Sequence, residues 1–253
     1  MRRVLATLVG ALLAVPAVAH AEPTPLPVGT DVDYQLGGPA YVPDNVGIVV
    51  RDRTETPAPG AYNICYVNGF QTQPGARRSW LARRDLLLQG ADGRLVEDEA
   101  WGEWLLDIRT PAKRQRLARI VGRWTAGCAR DGFDAVEYDN LDSFTRSGGL
   151  LRARQATAYA RLLVAGAHDA GLAAGQKNRA GWDGTRVGFD FAVAEECGRY
   201  DECGAYTDVY GDQVLAVEYR VRDFDRTCAD VGDRLAVVLR DRDLTPDGVR
   251  RWC

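Results

Sequence analysis

Short apolar runs, separated by polar or glycine-containing stretches, recur along the chain from residue 46 onward. Eight of them have the length of buried strands, and several are rich in β-branched residues. They lie at Val46–Val50, Tyr62–Val67, Trp104–Ile108, Ala135–Tyr138, Leu172–Gly175, Phe189–Ala194, Val214–Val217 and Leu235–Leu239. The pattern therefore predicts eight strands, and a similar run at Asp33–Leu36 predicts an extra N-terminal strand.

Two longer segments between these runs have helical features. Thr110–Arg130 opens with Thr-Pro, which suits the cap and first position of a helix, and Leu151–Ala170 has apolar residues at helical spacing. Alternating strands and helices indicate parallel βαβ units, so we predict an α/β fold, a (β/α)8 TIM barrel. A doubly wound open sheet is the alternative, but its usual glycine-rich phosphate loops do not occur in the sequence.

Length and composition agree with one large globular domain. Hydrophobic residues make up 46% and charged residues 26% of the 253 residues, which excludes a disordered or collagen-like chain. Barrels of this class often use about 250 residues as a single unit. We therefore expect one barrel domain over residues 33–253, acting as a monomer.

The first 21 residues resemble a secretory signal peptide. Arg2 and Arg3 precede an uncharged apolar run from Val4 to Val15, and Ala19-His20-Ala21 forms a small-x-small cleavage site. The apolar run is too short to span a bilayer. We therefore expect cleavage, secretion to the extracellular space, a Pro-rich leader at residues 22–32 and no membrane association of the mature chain.

The charge of the chain bears on its partners. Loss of residues 1–21 removes two arginines and no acid, which changes the formal charge from −3 to −5. An acidic chain gives no reason to expect nucleic acid as a partner and favours a neutral or cationic ligand.

All six cysteines follow the predicted cleavage site, and an even number in an exported chain predicts three disulfides. The shortest loop favours one bridge and elimination leaves two: Cys197–Cys203, then Cys228–Cys253 and Cys65–Cys128. A zinc site is the alternative, but no Cys-x-x-Cys occurs and His168 is the only histidine after residue 21. We therefore expect neither a metal nor another cofactor.

Polar residues end the apolar runs, where a parallel barrel places its active site. Acids occur at six of the eight ends, more than ordinary surface polarity would explain. These ends, with a tyrosine that could stack on a sugar, supply the candidate substrate-binding residues: Asp52, Tyr66, Asp107, Glu137, Asn140, Lys177, Asn178, Glu196 and Glu218.

Alternation within the fourth run assigns directions to its side chains. Val136 and Tyr138 fall on one face and should pack on helices, whereas Glu137 and Asp139 should point into the barrel. Carboxylates in a barrel interior are costly unless partners or function hold them there. An internal salt bridge with Lys177 is the structural alternative, and it suits Glu137 better than Asp139.

A second pair of acids ends the sixth run. Strict alternation groups Glu195 with Phe191 and Val193, which predicts Glu196 as the inward acid, although a bend at the strand end can reverse this. Either glutamate, with Asp139, supplies the two carboxyls of glycoside hydrolysis: one protonates the leaving oxygen, and the other attacks the anomeric carbon or activates water. A Ser-His-Asp scheme would need His168, which lies in a helical segment.

Several motifs resemble glycoside hydrolase family 114, the endo-α-1,4-polygalactosaminidases, over about Asp33 to Cys228. They are Cys65-Tyr66, Trp101-Gly-Glu-Trp-Leu-Leu-Asp-Ile-Arg109, Gly132-Phe-Asp134, Val136-Glu-Tyr-Asp-Asn-Leu-Asp142, Gln176-Lys-Asn178, Phe191-Ala-Val-Ala-Glu-Glu-Cys-Gly-Arg-Tyr-Asp-Glu-Cys203 and Val217-Glu-Tyr219.

The resemblance implies a secreted barrel that cleaves α-1,4-linked galactosamine polymers. It implies Asp139 as the nucleophile-type carboxylate and Glu195 as the acid/base, and we follow it over the alternation argument for Glu196. An unacetylated polymer of this kind is cationic and suits acids at the strand ends. The alternatives are a secreted carbohydrate-binding barrel without turnover and a barrel glycosidase that acts on another glycan.

Overall fold

A computed structural model of the protein describes residues 23–253. The predicted signal peptide, residues 1–21, lies outside the described residues. From the leader, Leu26 is buried at the amino end of the barrel, where its backbone N–H donates to Gln213 Oε1 at 2.8 Å.

Among residues 23–253, nine strands form one sheet in the order β1-β2-β3-β6-β7-β8-β9-β10-β11, and β4 and β5 form a separate antiparallel pair. All neighbours in the large sheet are parallel except β10 and β11. The strands are β1 Asp31–Gln35, β2 Val46–Asp52, β3 Tyr62–Asn68, β4 Glu97–Asp98, β5 Glu103–Trp104, β6 Ala135–Asp139, β7 Ala173–Lys177, β8 Phe191–Glu195, β9 Val214–Glu218, β10 Ala236–Arg240 and β11 Arg250–Trp252.

Side chains from β1, β10 and β11 close the barrel between its first and last parallel strands. Arg240 Nη1 lies 3.5 Å from Asp33 Oδ1, and Arg250 Nη1 donates to Asp33 Oδ2 at 2.8 Å. Trp252 Nε1 donates to the carbonyl of Val32 at 2.7 Å. The predicted TIM barrel and its N-terminal strand are confirmed, and that strand, β1, is one of the eight parallel strands.

One predicted strand is wrong. Of Trp104–Ile108 only Trp104 belongs to a strand, the short β5 outside the barrel. Leu105 and Leu106 form isolated antiparallel bridges to Gln71 and Leu87, and their side chains are buried in the layer between strands and helices. A short apolar run is equally suited to such a layer, so its composition alone does not place it in the barrel.

In the described part of the chain, six α-helices accompany the strands: α1 Arg77–Leu81, α2 Pro111–Asp131, α3 Ala153–Asp169, α4 Cys197–Tyr200, α5 Cys203–Tyr210 and α6 Val221–Val231. The two predicted helices correspond to α2 and α3. Thr110 Oγ1 accepts from the N–H of Lys113 and caps α2, and Gly132, with a φ of 95°, is the C-cap that follows its last residue, Asp131. Within residues 23–253, no helix combines the length and apolarity needed to cross a membrane.

Strand β8 faces the opposite way from the alternation argument. Phe191 and Val193 lie in the barrel interior, and Ala192 and Ala194 pack toward the helices. Gly175 on β7 makes room for the Phe191 ring, since a Cβ at this glycine would lie 2.5 Å from it. Glu195 shares the inward face with Phe191, so the structure corrects the expectation that Glu196 points inward.

The three disulfides are those favoured from the sequence. Cys65–Cys128 ties β3 to α2, and Cys228–Cys253 ties α6 to the residue after β11. Cys197–Cys203 joins the first residues of α4 and α5, directly after β8. This last bridge therefore holds the chain immediately beyond Glu195.

Candidate active site

A cavity of about 520 Å³ opens at the carboxyl ends of the barrel strands. Its walls include seven of the eleven candidate residues: Asp52, Tyr66, Asp139, Asn140, Lys177, Asn178 and Glu195. Parallel strands bring these ends together although the residues are far apart in sequence. Their turns use left-handed backbone at Asn140 and Asn178, with φ values of 66° and 52°, which asparagine tolerates better than most residues.

Lys177, the last residue of β7, lies at the floor of the cavity between the two candidate carboxylates. Its Nζ is 3.8 Å from Asp139 Oδ2 and 3.4 Å from Glu195 Oε2. Burial lowers the pKa of Lys177, but Asp139, Glu137 and Glu195 outweigh this effect and hold the pKa well above its ordinary value. Lys177 is therefore an ammonium that both carboxylates share.

Asp139, at the end of β6, receives hydrogen bonds on both oxygens. Tyr66 donates its hydroxyl to Oδ2 at 2.8 Å, and the backbone N–H of Asn140 donates to Oδ1 at 2.6 Å. Burial and the nearby Asp139 raise the pKa of Tyr66 well above its ordinary value, so the phenol keeps its proton and remains a donor. These contacts hold a carboxylate that faces the cavity in one orientation.

Glu195, at the end of β8, has a matching set of donors. Tyr219 donates to Oε1, and Asn178 Nδ2 donates to Oε2 at 3.1 Å. Burial raises the pKa of Glu195, but Lys177 and the hydrogen bonds from Tyr219 and Asn178 outweigh burial, so the pKa lies below its ordinary value. In the unliganded site Glu195 is therefore a carboxylate.

Glu137 lies one layer deeper than Asp139 on the same strand. Its Oε1 accepts from Lys177 Nζ at 3.1 Å and from the hydroxyl of Tyr34, and the side chain is inaccessible to solvent. Burial raises its pKa to about 7, although Lys177 and Tyr34 oppose the shift. Glu137 therefore supports Lys177 from below and does not reach the cavity, which corrects its place among the substrate-binding candidates.

Three further candidates lie away from the cavity, where other groups hold them. Asp107 is ion-paired with Arg109 and Lys113 at 2.8 and 2.6 Å, at the start of α2. Glu196 and Glu218 each follow an inward-facing residue in sequence, but their own side chains point away from the barrel interior. None of the three is placed to contact a substrate in this cavity.

Glu196 turns outward because the chain leaves β8 in a left-handed conformation, with a φ of 56°. Its two oxygens accept from Arg199 at 2.6 Å and Arg242 at 2.9 Å. Glu218 alternates with the inward Val217 and therefore faces the helices, where its Oε1 accepts from the N–H of Gly198 at 2.7 Å and from Thr227 at 3.0 Å.

The excursion between β3 and α2 and the turn after β6 contribute cavity residues that the strand-end argument missed. They include Asp98, Trp101, Glu103, Asp142 and Arg146. Arg146 Nη2 donates to Asn140 Oδ1 at 2.9 Å, and its Nε lies 2.7 Å from Asp98 Oδ2. The Trp-Gly-Glu-Trp motif at residues 101–104 is the sequence feature that marks this part of the cavity. The expected barrel strand at Trp104–Ile108 puts Glu103 at the amino end of a strand, away from the cavity, whereas the structure places Glu103 in the cavity wall.

Comparisons with known proteins place this geometry in a family. The sequence model of glycoside-hydrolase family GH114 matches residues 13–253. A comparison with curated proteins found no match. Among solved structures, Aspergillus fumigatus Ega3 in complex with galactosamine is 20% identical, with 94% of this chain and 100% of that chain covered and a TM-score of 0.72.

The glycoside hydrolase domain of PelA from Pseudomonas aeruginosa is also similar in structure, with 17% identity, coverage of 88% of this chain and 98% of that chain, and a TM-score of 0.56. At such low identities these two likenesses show the shared barrel fold. The family match extends over nearly the whole sequence and includes every residue of the cavity. The chain belongs to glycoside hydrolase family GH114, and it is a glycosidase of that family.

Proposed function

We propose that this glycosidase is secreted and hydrolyses α-1,4-linked galactosamine polymers, with Asp139 as the nucleophile and Glu195 as the acid/base. The observation that carries the proposal is the placement of these two carboxylates on either side of the buried Lys177 ammonium, at the floor of a cleft. Two carboxyl groups that flank the scissile bond are what glycoside hydrolysis requires.

The charge of the cleft supports a cationic substrate. Seven acids and three basic residues line it, and each of the three bases contacts acids of the protein itself. The excess negative charge attracts ammonium groups and raises their local concentration. The structural neighbour Ega3 was solved with galactosamine, an amino sugar of this class.

Asp139 is suited to attack the anomeric carbon. Its carboxylate is oriented by Tyr66 and by the N–H of Asn140, and neither donor transfers a proton to it. Attack would form a covalent bond between an Asp139 oxygen and the sugar while the bond to the leaving oxygen breaks. Water would then release the sugar and restore the carboxylate.

Glu195 gives a proton to the leaving oxygen in the first step and takes one from water in the second. Its pKa below the ordinary value keeps it ionised in the unliganded site, and the ionised form is the one that accepts a proton in the second step. For the first step it must gain a proton, and a bound sugar would favour this by displacing water from the carboxyl group. Exclusion of water raises the pKa of a carboxyl group.

The experiment compares Asp139→Asn with Glu195→Gln on the polymer and on an aryl α-glycoside whose leaving group needs no proton. Both variants should lose at least about 10³-fold in kcat/KM on the polymer. On the aryl glycoside Glu195→Gln should recover much of its glycosylation rate, whereas Asp139→Asn should not. The control is Asp208→Asn, an exposed acid on α5 that should cleave like the wild type.

The outcomes separate the alternatives. Recovery by Asp139→Asn instead of Glu195→Gln would reverse the two roles. A wild type that binds galactosamine oligomers but releases no reducing ends would indicate a carbohydrate-binding barrel without turnover. If the wild type cleaves another glycan and no galactosamine polymer, the proposed substrate is wrong, although the proposed carboxylate pair can still be correct. Secretion is tested by the amino-terminal sequence of the exported protein, which should begin at Glu22.

A further inference from the structure

Two acids of the cavity, Asp98 and Glu103, are more than nine-tenths buried, and they differ in their partners. Asp98 Oδ2 is ion-paired with Arg146 Nε at 2.7 Å. For Glu103, residues 23–253 provide no basic group within ion-pairing distance. Burial of a carboxylate without a cation is costly, so such a group in a binding cleft points to a charge supplied from outside the chain.

The two oxygens of Glu103 have different environments. Oε2 accepts from Asn68 Nδ2 at 2.8 Å, which fixes the orientation of the carboxyl group. Oε1 has no hydrogen-bond donor within the described part of the chain, and the residue forms part of the cavity wall. Glu103 thus presents one positioned and unpartnered carboxylate oxygen to a ligand.

The position of Glu103 places that ligand next to the reacting carboxylates. Asn68 accepts from Asn140 Nδ2 at 3.1 Å through its Oδ1, and the N–H of Asn140 donates to Asp139. A chain of two amides therefore joins Glu103 to the candidate nucleophile. The neighbouring Trp101 is exposed and lines the same wall, where its ring could cover a sugar face.

The charged groups around Glu103 come from three elements. Burial raises the pKa of Glu103 to about 7, the hydrogen bond from Asn68 opposes this shift, and the carboxylates of Asp139 on β6 and Asp98 on β4 add to it. Arg146, in the turn after β6, lowers it. At neutral pH the ionised and protonated forms of Glu103 are therefore both populated. A cation that binds beside Glu103 would favour the ionised form and release the proton.

We infer that Glu103 binds the amino group of a sugar residue in the cleft as its ammonium form, and that it thereby selects unacetylated galactosamine over N-acetylgalactosamine. The inference rests on the proposed function and assigns one specificity-determining residue to it. The ammonium donates to Oε1 and supplies the counter-charge that the protein does not. An N-acetyl group is neutral and larger, so it leaves the carboxylate unpaired and fills the space of the ammonium.

The experiment measures binding of two monosaccharides that are not cleaved, galactosamine and N-acetylgalactosamine, to the full mature chain. Glu103→Gln keeps an acceptor for Asn68 and removes only the titratable charge. At pH 6.5 we expect this variant to bind galactosamine about tenfold or more weakly than wild type, because a charge-assisted hydrogen bond is lost. Binding of N-acetylgalactosamine should change less than about twofold.

Calorimetry in two buffers of different ionisation enthalpy gives a second readout. Wild type should release a fraction of a proton when it binds galactosamine at pH 6.5, and Glu103→Gln should lose that release. Glu97→Gln is the matched control. It removes the same charge from β4, where Glu97 pairs with Arg77 outside the cavity lining, and it should behave like wild type in both measurements.

Equal weakening toward both sugars, or unchanged galactosamine affinity in Glu103→Gln, would overturn the inference. Unchanged proton release in that variant would do the same. These outcomes are independent of the proposed function, because they need no turnover. If the wild type binds galactosamine through Glu103 but cleaves no galactosaminide, only the proposed function is wrong. If the wild type cleaves galactosaminides and its binding of galactosamine does not depend on Glu103, only this inference is wrong.

Discussion

Lys177 Nζ, at the floor of the cavity, lies 3.1 Å from Oε1 of Glu137, which is buried beneath it. The same nitrogen faces Asp139 and Glu195. One cation therefore balances three carboxylates, and the most deeply buried of them, Glu137, has a raised pKa. The charge of the site therefore depends on a buried carboxyl group, Glu137, that does not line the cavity.

Loss of Lys177 should destabilise the fold in a pH-dependent way. Lys177→Met leaves Glu137 without its cation, and breaking a buried ion pair costs about 3–5 kcal/mol. The cost should be larger at pH 8 than at pH 5, because below its pKa of about 7 Glu137 can hold a proton and need no counter-charge. Urea unfolding at both pH values measures this difference.

The double variant Lys177→Met with Glu137→Gln serves as the control for that experiment. It removes both charges and should recover much of the stability at pH 8, without recovering activity. If the single and double variants unfold at the same urea concentration at pH 8, the ion pair is not the source of the loss.

The products should retain the anomeric configuration of the substrate. Asp139 Oδ2 and Glu195 Oε2 lie 3.8 and 3.4 Å from one nitrogen, so these oxygens are at most about 7.2 Å apart. Retaining enzymes have carboxyl groups about 5–5.5 Å apart, and inverting enzymes need about 6.5–9.5 Å to accommodate a water, so this bound excludes all but the lower end of the inverting range. Proton NMR during hydrolysis should show the α-anomer first, and initial β-anomer would argue for inversion.

Glu103→Gln should be stabilising at neutral pH. The pKa of Glu103 is raised from its ordinary value of 4.5 to about 7 in the folded protein, so the native state binds more protons than the unfolded state in this window. Glu103 therefore contributes its full share to the free energy of unfolding below about pH 4.5. This contribution, at most about 3 kcal/mol, is lost as the pH rises through 7. Thermal unfolding of wild type and variant from pH 4 to 8 measures it.

The two curves should converge at low pH, where Glu103 is protonated in both states, and diverge toward pH 8 with the variant more stable. Glu97→Gln should follow the wild-type curve. A Glu103→Gln protein that is less stable than wild type at pH 8 would show that the carboxylate has a stabilising partner.

Gly175→Ala should disturb the barrel interior. A Cβ at this position would lie 2.5 Å from the Phe191 ring, and overpacking of a core costs about 1–3 kcal/mol. Because Phe191 shares β8 with Glu195, kcat should also fall. Gly166→Ala on α3, where a Cβ meets no atom within 4 Å, is the matched control and should be neutral or stabilising by up to about 1 kcal/mol.

Alternation and turn residues were sufficient to predict several features from the sequence. The direction of Glu137 and Asp139, the start of α2 at Thr110-Pro111 and the short-loop disulfide Cys197–Cys203 follow from local pattern and loop length. These features depend on neighbours in the chain or on a short set of pairings. They therefore need little knowledge of the tertiary structure.

The tertiary structure decided which face of each strand is inside and which loops reach the cavity. Glu195 shares the inward face of β8 with Phe191, whose ring packs beside Gly175 of the neighbouring strand, and the sequence of β8 alone does not show which residue lies opposite that ring. Glu103 lies in the cavity because the excursion between β3 and α2 folds over the strand ends. Local sequence sets periodicity, whereas burial depends on contacts between residues that are distant in the chain, and those contacts determine the partners of each carboxylate.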